Sequence, residues 1–597
     1  MKTLFVKYHV EFLTAIAVLL FFSIREPSSP YDKMVGSDGK GYYAYLPAVF
    51  IHGDFSYDFV EAYERIHYGA SDDFFDFRIQ TETGTVNKYF PGVAILWLPF
   101  FLLAHIFSLL FGFATDGYSL PYQIAIGLAA IFYLWLGLKS LKRILERYKI
   151  DGWINVIVIW ALFFGTNLFY YTIEEPSFTH VYSFALINIF CLTVIRLSKK
   201  YQPIGLYILT IILGLIIITR PVNGIIIFAI SFLCGSNKNL FRLLQNLFSD
   251  TRNLIGASLV GVSILLIIPL LWFFQNGNLI LYTYGDETLN FMSSHMIDIL
   301  FSYRNGWLVY TPLAILSFLG FYPLFKKSKL AGLKLLAFLF IAVYAVGCWS
   351  VWWYGEAFGM RPMIEFYFVI AILLGFWLKF VRKNKTLYIF SLLIIIALTA
   401  FNQFQSWQFN RGILPAKHLS KETYWDNFLS STLKAKVYVN DQNWKLIQTF
   451  ETGMESDPEW LNYASKSDEL SFSGNLASKI DSSNVYSIGF RENISDYLGP
   501  QDYKIVVSAM TFASRENTHA QLIIDFIDLN GNSKSYNTFF LKEFLLGNEW
   551  TYVEFAADLP SELLSGCSLA VYFWDPAANE ELFVDDIKIQ IWEIMEK

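Results

Sequence analysis

Up to Phe404 the chain is a succession of long apolar runs separated by short basic or aromatic loops, and beyond it the pattern changes to apolar and polar residues in alternation. Apolar runs near 8–24, 120–138, 153–171, 178–195, 203–219, 222–235, 254–274, 306–325, 332–349, 363–380 and 386–404 each read as a membrane crossing, about eleven in all. Basic residues fall in alternate loops: Lys139 to Lys149, Arg196 with Lys199 and Lys200, Lys326 with Lys327 and Lys329, and Lys379 with Arg382 and Lys383. Positive residues stay in the cytoplasm. The amino terminus is therefore expected inside and the carboxyl terminus outside. Lys2 and Lys7 precede the run Phe12 to Phe22, no small-residue cleavage pattern follows, and Arg25-Glu26-Pro27 comes next, which predicts an uncleaved first helix entering from the cytoplasm. Residues 91–113 are long enough to span, but a crossing there would invert every later loop. Interrupted by Pro99 and His105, they read as a re-entrant or interfacial segment with both ends outside, a true crossing being the competing reading.

Past Phe404, runs such as Gln521 to Phe526, Ser568 to Phe573 and Phe583 to Ile589 have the period of two that marks strands with one buried face. The expected organisation is a membrane domain over 1–405 with its first outer loop at 25–92, an amphipathic linker over 406–433, and an all-β sandwich over 434–597.

Composition narrows the class. A chain of 597 residues that is 55% hydrophobic and 16% charged is a polytopic membrane protein. Its net charge of -6, with the basic residues confined to short loops, gives no nucleic-acid-binding stripe. The four cysteines are too scattered for a disulfide framework or a zinc site.

The topology sends one set of polar residues outward. Asp38, Lys88, Glu174, Glu175, His180, Arg220, Asn223, Arg304, Glu356 and Arg361 all fall in outer loops or at outward helix ends. Ionisable groups at the edge of hydrocarbon are costly unless paired or used, so this edge is the expected site. Asp38 beside Tyr42 and Tyr43 supplies a general base next to rings on which a sugar can stack; an exposed loop acid beside an interfacial aromatic belt is the plainer reading. Lys88, before Phe90-Pro91-Gly92, is placed to meet a lipid phosphate or to snorkel. Arg220, in Thr219-Arg220-Pro221, and Arg361 can each grip a phosphate through parallel hydrogen bonds. Glu174, Glu175 and His180 would bind sugar hydroxyls, hold a divalent cation or tune the base, unless Glu175-Pro176 merely starts the next helix. Trp352, Trp353 and Glu356 lie in the densest aromatic cluster, Trp349 to Arg361, where indole rings beside glycines suit a pyranose.

Taken together these motifs resemble the GT-C fold of membrane glycosyltransferases, in particular the polyprenyl-phosphate-dependent protein mannosyltransferase and aminoarabinose transferase superfamily. Asp38 with Tyr42-Tyr43 is similar to that family's first-loop acid and aromatics, Lys88 to Pro91 to its Lys-Pro-Pro or Tyr-Pro-Pro-Gly segment, and Glu174-Glu175 to its second outer acid. Gly39 departs from the Asp-Glu pair of the mannosyltransferases. The resemblance, over roughly residues 1–405, implies inverting transfer of a sugar from a polyprenyl-phosphate donor to a hydroxyl of a glycan, lipid or protein acceptor. It places the reaction at the outer face of a bacterial inner membrane, with Asp38 as base and Lys88, Arg220 and Arg361 on the donor phosphate. The sandwich resembles carbohydrate-binding jelly rolls, in which an opening acid (Glu451) and a closing one (Asp586) share a structural calcium. A flippase or transporter of lipid-linked sugars, or a non-catalytic glycan-binding membrane protein, are the competing classes.

Overall fold

The computed structural model describes residues 2–24, 34–60, 77–285, 287–414, 419, 421–430, 444–455, 460–494, 498–499, 501–514, 519–528, 531–541, 545, 548–559, 567–577 and 581–594. Arg25-Glu26-Pro27 and the expected start of the sandwich near Lys434 lie outside them. The chain divides into two compact units, Met1–Ser406 and Trp407–Lys597.

Among the described residues, eight helices are long and apolar enough to cross a membrane: Leu4–Ser23, Gly92–Phe111, Leu120–Arg147, His180–Lys199, Thr251–Asn276, Lys329–Gly347, Arg361–Val381 and Lys385–Asn410. The chain is an integral membrane protein. The other expected spans are shorter or broken. Gly152–Phe164 and Pro203–Thr219 are short apolar helices, and Pro221–Leu233 bends by 117° into Asn237–Ser249. The run expected over 306–325 falls into three pieces, Trp307–Tyr310, Leu313–Phe318 and Phe321–Lys327. Pro312 and Gly320 part them, because proline lacks the amide a continuous helix requires. The carbonyls freed at such breaks need donors in a medium without water. Asn402 Nδ2 donates to the Tyr310 carbonyl at 2.6 Å, and Gln403 Nε2 to that of Phe164, the last residue of its helix, at 2.6 Å.

Gly92–Phe111 is one continuous helix with Pro99 inside it, without the interior turn of a re-entrant hairpin. It packs along the first half of Leu120–Arg147: Tyr133 donates to the Leu96 carbonyl at 3.1 Å, Phe100 meets Phe132, and His105 Nδ1 lies 2.6 Å from the Tyr122 hydroxyl. These contacts lie away from the basic end of Leu120–Arg147.

Gly92 sets how close this helix comes to the end of Pro203–Thr219, since a Cβ at Gly92 would lie 2.5 Å from both the Thr219 Cα and its backbone nitrogen. Backbone cannot step aside cheaply. Gly92→Ala is expected to lower stability by about 1–3 kcal/mol and to disturb Arg220, next along the chain. Thermal unfolding of the detergent-solubilised variant, which should melt several degrees below the wild type, checks this.

The second unit is a β-sandwich in which every named strand pairing is antiparallel. One sheet runs Ser533–Phe540, Gln521–Asp528, Cys567–Trp574, Gly489–Asn493, Trp460–Leu461. The other runs Trp550–Leu559, Tyr503–Ala513, Leu582–Ile594, Ala477–Ile480, Lys466–Ser467, with Trp444–Thr452 also on Leu582–Ile594. Alternate residues of both sheets meet in one core that includes Ile505, Val507, Val553 and Ile589 from one side and Leu522, Ile524, Leu569 and Val571 from the other.

The two acids expected to share a calcium have protein partners of their own. Glu451 faces Lys588 at 3.4 Å, Asp586 Oδ1 accepts from the Ser473 hydroxyl at 2.7 Å, and the neighbouring Asp585 takes the amides of Phe472 and Ser473. Among the described residues, no group of three or more His, Cys, Asp or Glu side chains is placed to hold a metal.

Candidate active site

The helix Asp38–Pro47 opens with an acid in its first turn, where the helix dipole favours negative charge. The backbone before it is tied down, with the Val35 amide donating to Gln123 Oε1 at 3.0 Å and that of Gly36 to Ser177 Oγ at 3.3 Å. At Gly39 any Cβ would collide with the Ser177 side chain, so the second acid of the family pattern has no room here. Helical spacing then sorts the two tyrosines. Tyr42, four residues from Asp38, shares its face. Tyr43 turns into the core, where its hydroxyl bonds the Gly117 carbonyl and its ring packs on Trp97, Phe101 and Tyr118.

Asp38 and Tyr42 open onto a cavity of about 510 Å³. Three ion pairs ring it. Asp38 Oδ2 meets Arg361 Nη1 at 2.7 Å, Lys88 Nζ meets Glu287 Oε1 at 2.6 Å, and Arg220 Nη1 meets Glu365 Oε1 at 3.0 Å. Lys88, Arg220 and Arg361, separated in sequence, thus converge with Asp38 in one chamber. Aromatic side chains of Tyr89, Phe90, Tyr282, Tyr284, Trp349 and Tyr354 complete much of the wall.

Each carboxylate sits differently. Asp38 is 20% exposed, and its Oδ1 accepts from the Tyr89 hydroxyl at 2.8 Å. Burial first and the Asp38 charge second push the Tyr89 hydroxyl well above its usual pKa, so it stays protonated and donating. Glu365 is fully buried; the oxygen that holds Arg220 also lies 3.1 Å from His180 Nδ1. Glu287 lies nearer the mouth, 30% exposed, with its second oxygen taking Trp349 Nε1 at 3.2 Å. The hydrogen bonds of both arginines to these acids use Nη1. The Arg361 guanidinium lies over the Phe178 ring at 4.6 Å and that of Arg220 is 5.8 Å from the Tyr354 ring, leaving edges of the forks toward the chamber.

His180 belongs to the cavity wall, whereas Glu174 and Glu175 do not line it. Their amides close the short helix Tyr170–Ile173 by bonding the Tyr170 carbonyl. Trp352, Trp353 and Glu356 also lie outside the lining. Positive φ angles at Tyr354 (55°) and Gly355 (75°) turn the chain there. Trp349 and Tyr354 face the cavity, while Trp352 stacks on His295 and Trp353 covers Arg304 at 4.2 Å, with Glu356 electrostatically coupled to Arg304. Glu287, Glu365, Tyr89, Tyr284, Trp349 and Tyr354 join the site without having been singled out in the sequence. Glu365 carried a usable signal, an acid two residues into an apolar run.

The sequence matches no family model and no curated protein. Among solved structures, the arabinosyltransferase EmbB from Mycobacterium smegmatis is similar over 98% of this chain and 67% of its own, at 11% identity and a TM-score of 0.34. The β unit is similar to carbohydrate-binding modules. The CBM22-1 xylan-binding domain of Xyn10C from Paenibacillus barcinonensis matches over 26% of this chain and 88% of the module, at 11% identity and a TM-score of 0.16. A family 16 module matches over 22% and 89%, at 17% and 0.17. Likeness at this level leaves the chemistry to be argued from the chain's own residues.

Proposed function

We propose that this protein is a GT-C-type glycosyltransferase that moves one sugar, with inversion, from a polyprenyl phosphate to an acceptor hydroxyl at the outer face of a bacterial inner membrane. The observation that carries the reading is the convergence of Asp38 with Lys88, Arg220 and Arg361 in one aromatic-walled cavity. The helix ends support this side of the membrane. His180 and Arg361 begin helices whose far ends carry Arg196 with Lys199 and Lys379 with Arg382, so the cavity lies opposite the basic ends.

In the reaction, Asp38 takes the proton of the acceptor hydroxyl as that oxygen attacks the anomeric carbon, and the bond from that carbon to the phosphate oxygen breaks. The electron pair leaves with the polyprenyl phosphate, where the added charge meets Lys88, Arg220 and Arg361. Cations aimed at the leaving group act most strongly in the transition state, which raises the rate as well as binding the donor. Tyr42 and Tyr284 offer ring faces to the sugar, and His180 with its buried partner Glu365 fixes Arg220. Purified protein in lipid nanodiscs, offered a panel of radiolabelled polyprenyl-phosphate sugars with a hydroxylated acceptor, is expected to release polyprenyl phosphate from one of them. Absence of release across the panel, with sugar carried intact across the bilayer, would instead favour a flippase.

The β unit is assigned the role of holding the glycan acceptor. On the outer face of its five-stranded sheet Tyr486 stacks on Trp574 at 6.1 Å and packs edge-on to Tyr572 at 5.8 Å, with Tyr536 beside them, 49% exposed. Such a platform suits pyranose faces. Trp574→Ala is expected to weaken retention on immobilised acceptor polysaccharide by about tenfold, without moving the thermal transition of a residue that packs outside the core. Affinity electrophoresis of the full chain reads both wild type and variant.

A further inference from the structure

The three ion pairs differ in one respect that bears on how a donor enters. Glu365 is fully buried and cannot leave Arg220, and Asp38 is needed beside Arg361 as the base. Glu287 stands near the mouth on the segment between Thr251–Asn276 and Met296–Phe301, and each of its oxygens is held by a group from a different part of the fold: Lys88 Nζ at 2.6 Å and Trp349 Nε1 at 3.2 Å. That segment is pinned around it. Thr283 donates to the Lys88 carbonyl at 2.8 Å, and Thr288 and Ser350 exchange hydrogen bonds through the Thr288 amide to Ser350 Oγ and the Ser350 amide to the Thr288 carbonyl. The Tyr284 ring lies 5.5 Å from the Lys88 ammonium. An ammonium and an indole N–H converging on two oxygens of one anion is the donor set a phosphodiester monoanion needs.

We infer that Lys88 and Trp349 form the subsite for the donor's phosphate, and that the Glu287 carboxylate occupies it as a surrogate anion until the donor displaces it. The inference rests on the transferase reading for the identity of the ligand. Glu287 is 30% exposed, so its carboxylate has a path to solvent, and the phosphate that takes over its two donors replaces the contacts it gives up. Glu287 then returns after the polyprenyl phosphate leaves, which favours product release. Trp349 adds directionality that a lysine alone, a point charge on a flexible stem, does not supply.

The test measures binding of a radiolabelled polyprenyl phosphate, without sugar, to the full chain in nanodiscs. Glu287→Gln removes the competing charge and is expected to lower Kd by about three- to tenfold, whereas Lys88→Ala should raise it by at least as much. Trp349→Phe, which keeps the ring and loses the N–H, should also raise Kd, and it decides the matter should Glu287→Gln fold poorly. Binding by Glu287→Gln that is unchanged or weaker, or binding by Trp349→Phe that matches the wild type, would overturn the assignment. Because no sugar is transferred, this affinity pattern stands or falls separately from turnover. A protein that shows the pattern and moves no sugar keeps its phosphate subsite and loses the transferase reading.

Discussion

Asp38→Asn should abolish nearly all transfer, lowering kcat by about 10²–10⁴-fold, the range a positioned general base contributes, while the donor still binds. Asparagine keeps the size of the side chain and an oxygen for the Tyr89 hydroxyl, so the wall it forms should hold its shape. What is lost is the lone pair that receives the acceptor's proton. The charge facing Arg361 is lost as well, so that guanidinium becomes freer to engage the donor phosphate, and the Kd for a polyprenyl-phosphate sugar is expected to stay level or fall. Parallel measurement of kcat under saturating donor and of donor Kd separates the two effects. A variant that turns over like the wild type removes Asp38 from the chemistry. One that loses binding and turnover together makes it a structural partner of Arg361.

The second large effect lies beneath the cavity. Glu365→Ala should destabilise the protein by about 3–5 kcal/mol, because removing one partner of a buried pair leaves the other charge uncompensated. Glu365 is fully buried and holds Arg220 and His180 through the same oxygen, so both neighbours lose their fixed position. The double variant Arg220→Met with Glu365→Leu replaces the pair by apolar groups of similar bulk and should recover most of that stability. It should not recover transfer, since the cation facing the leaving group is gone. Unfolding midpoints together with turnover in the same detergent check the set. A stable but inactive double variant fits the assigned role, whereas an active one shows that Arg220 serves the fold alone.

Much of the architecture was legible because hydrophobic period reports burial directly. Apolar runs marked the membrane unit, alternation marked the sandwich, and the basic loops pointed to the cavity side of the helices. The number of spans was less legible, since an apolar run does not disclose whether its backbone is continuous. Pro312 and Gly320 break 306–325 into short helices, and the side-chain amides of Asn402 and Gln403 reach carbonyls from a distant helix. In the site, Asp38, Lys88, Arg220 and Arg361 were found by charge at helix ends, yet the acids that pair with Lys88 and Arg220 were not. The carboxylate for Lys88 comes from 199 residues away and the one for Arg220 from 145. Sequence proximity carries no information on such pairs. The cluster Trp349 to Arg361 shows the opposite failure: its composition pointed to sugar binding, but composition does not tell which rings face the cavity. Trp349 and Tyr354 face it, and Trp352 and Trp353 pack on His295 and Arg304 instead.

A structure of the full chain in lipid with an intact polyprenyl-phosphate sugar bound, using Asp38→Asn to hold the donor uncleaved, is the most direct test. The phosphate is predicted within about 3 Å of Lys88 Nζ and at least one of the Arg220 and Arg361 guanidinium groups. The anomeric carbon should face residue 38 across a gap wide enough for one hydroxyl. A donor seated away from this cavity, or with its phosphate remote from all three cations, would contradict the account.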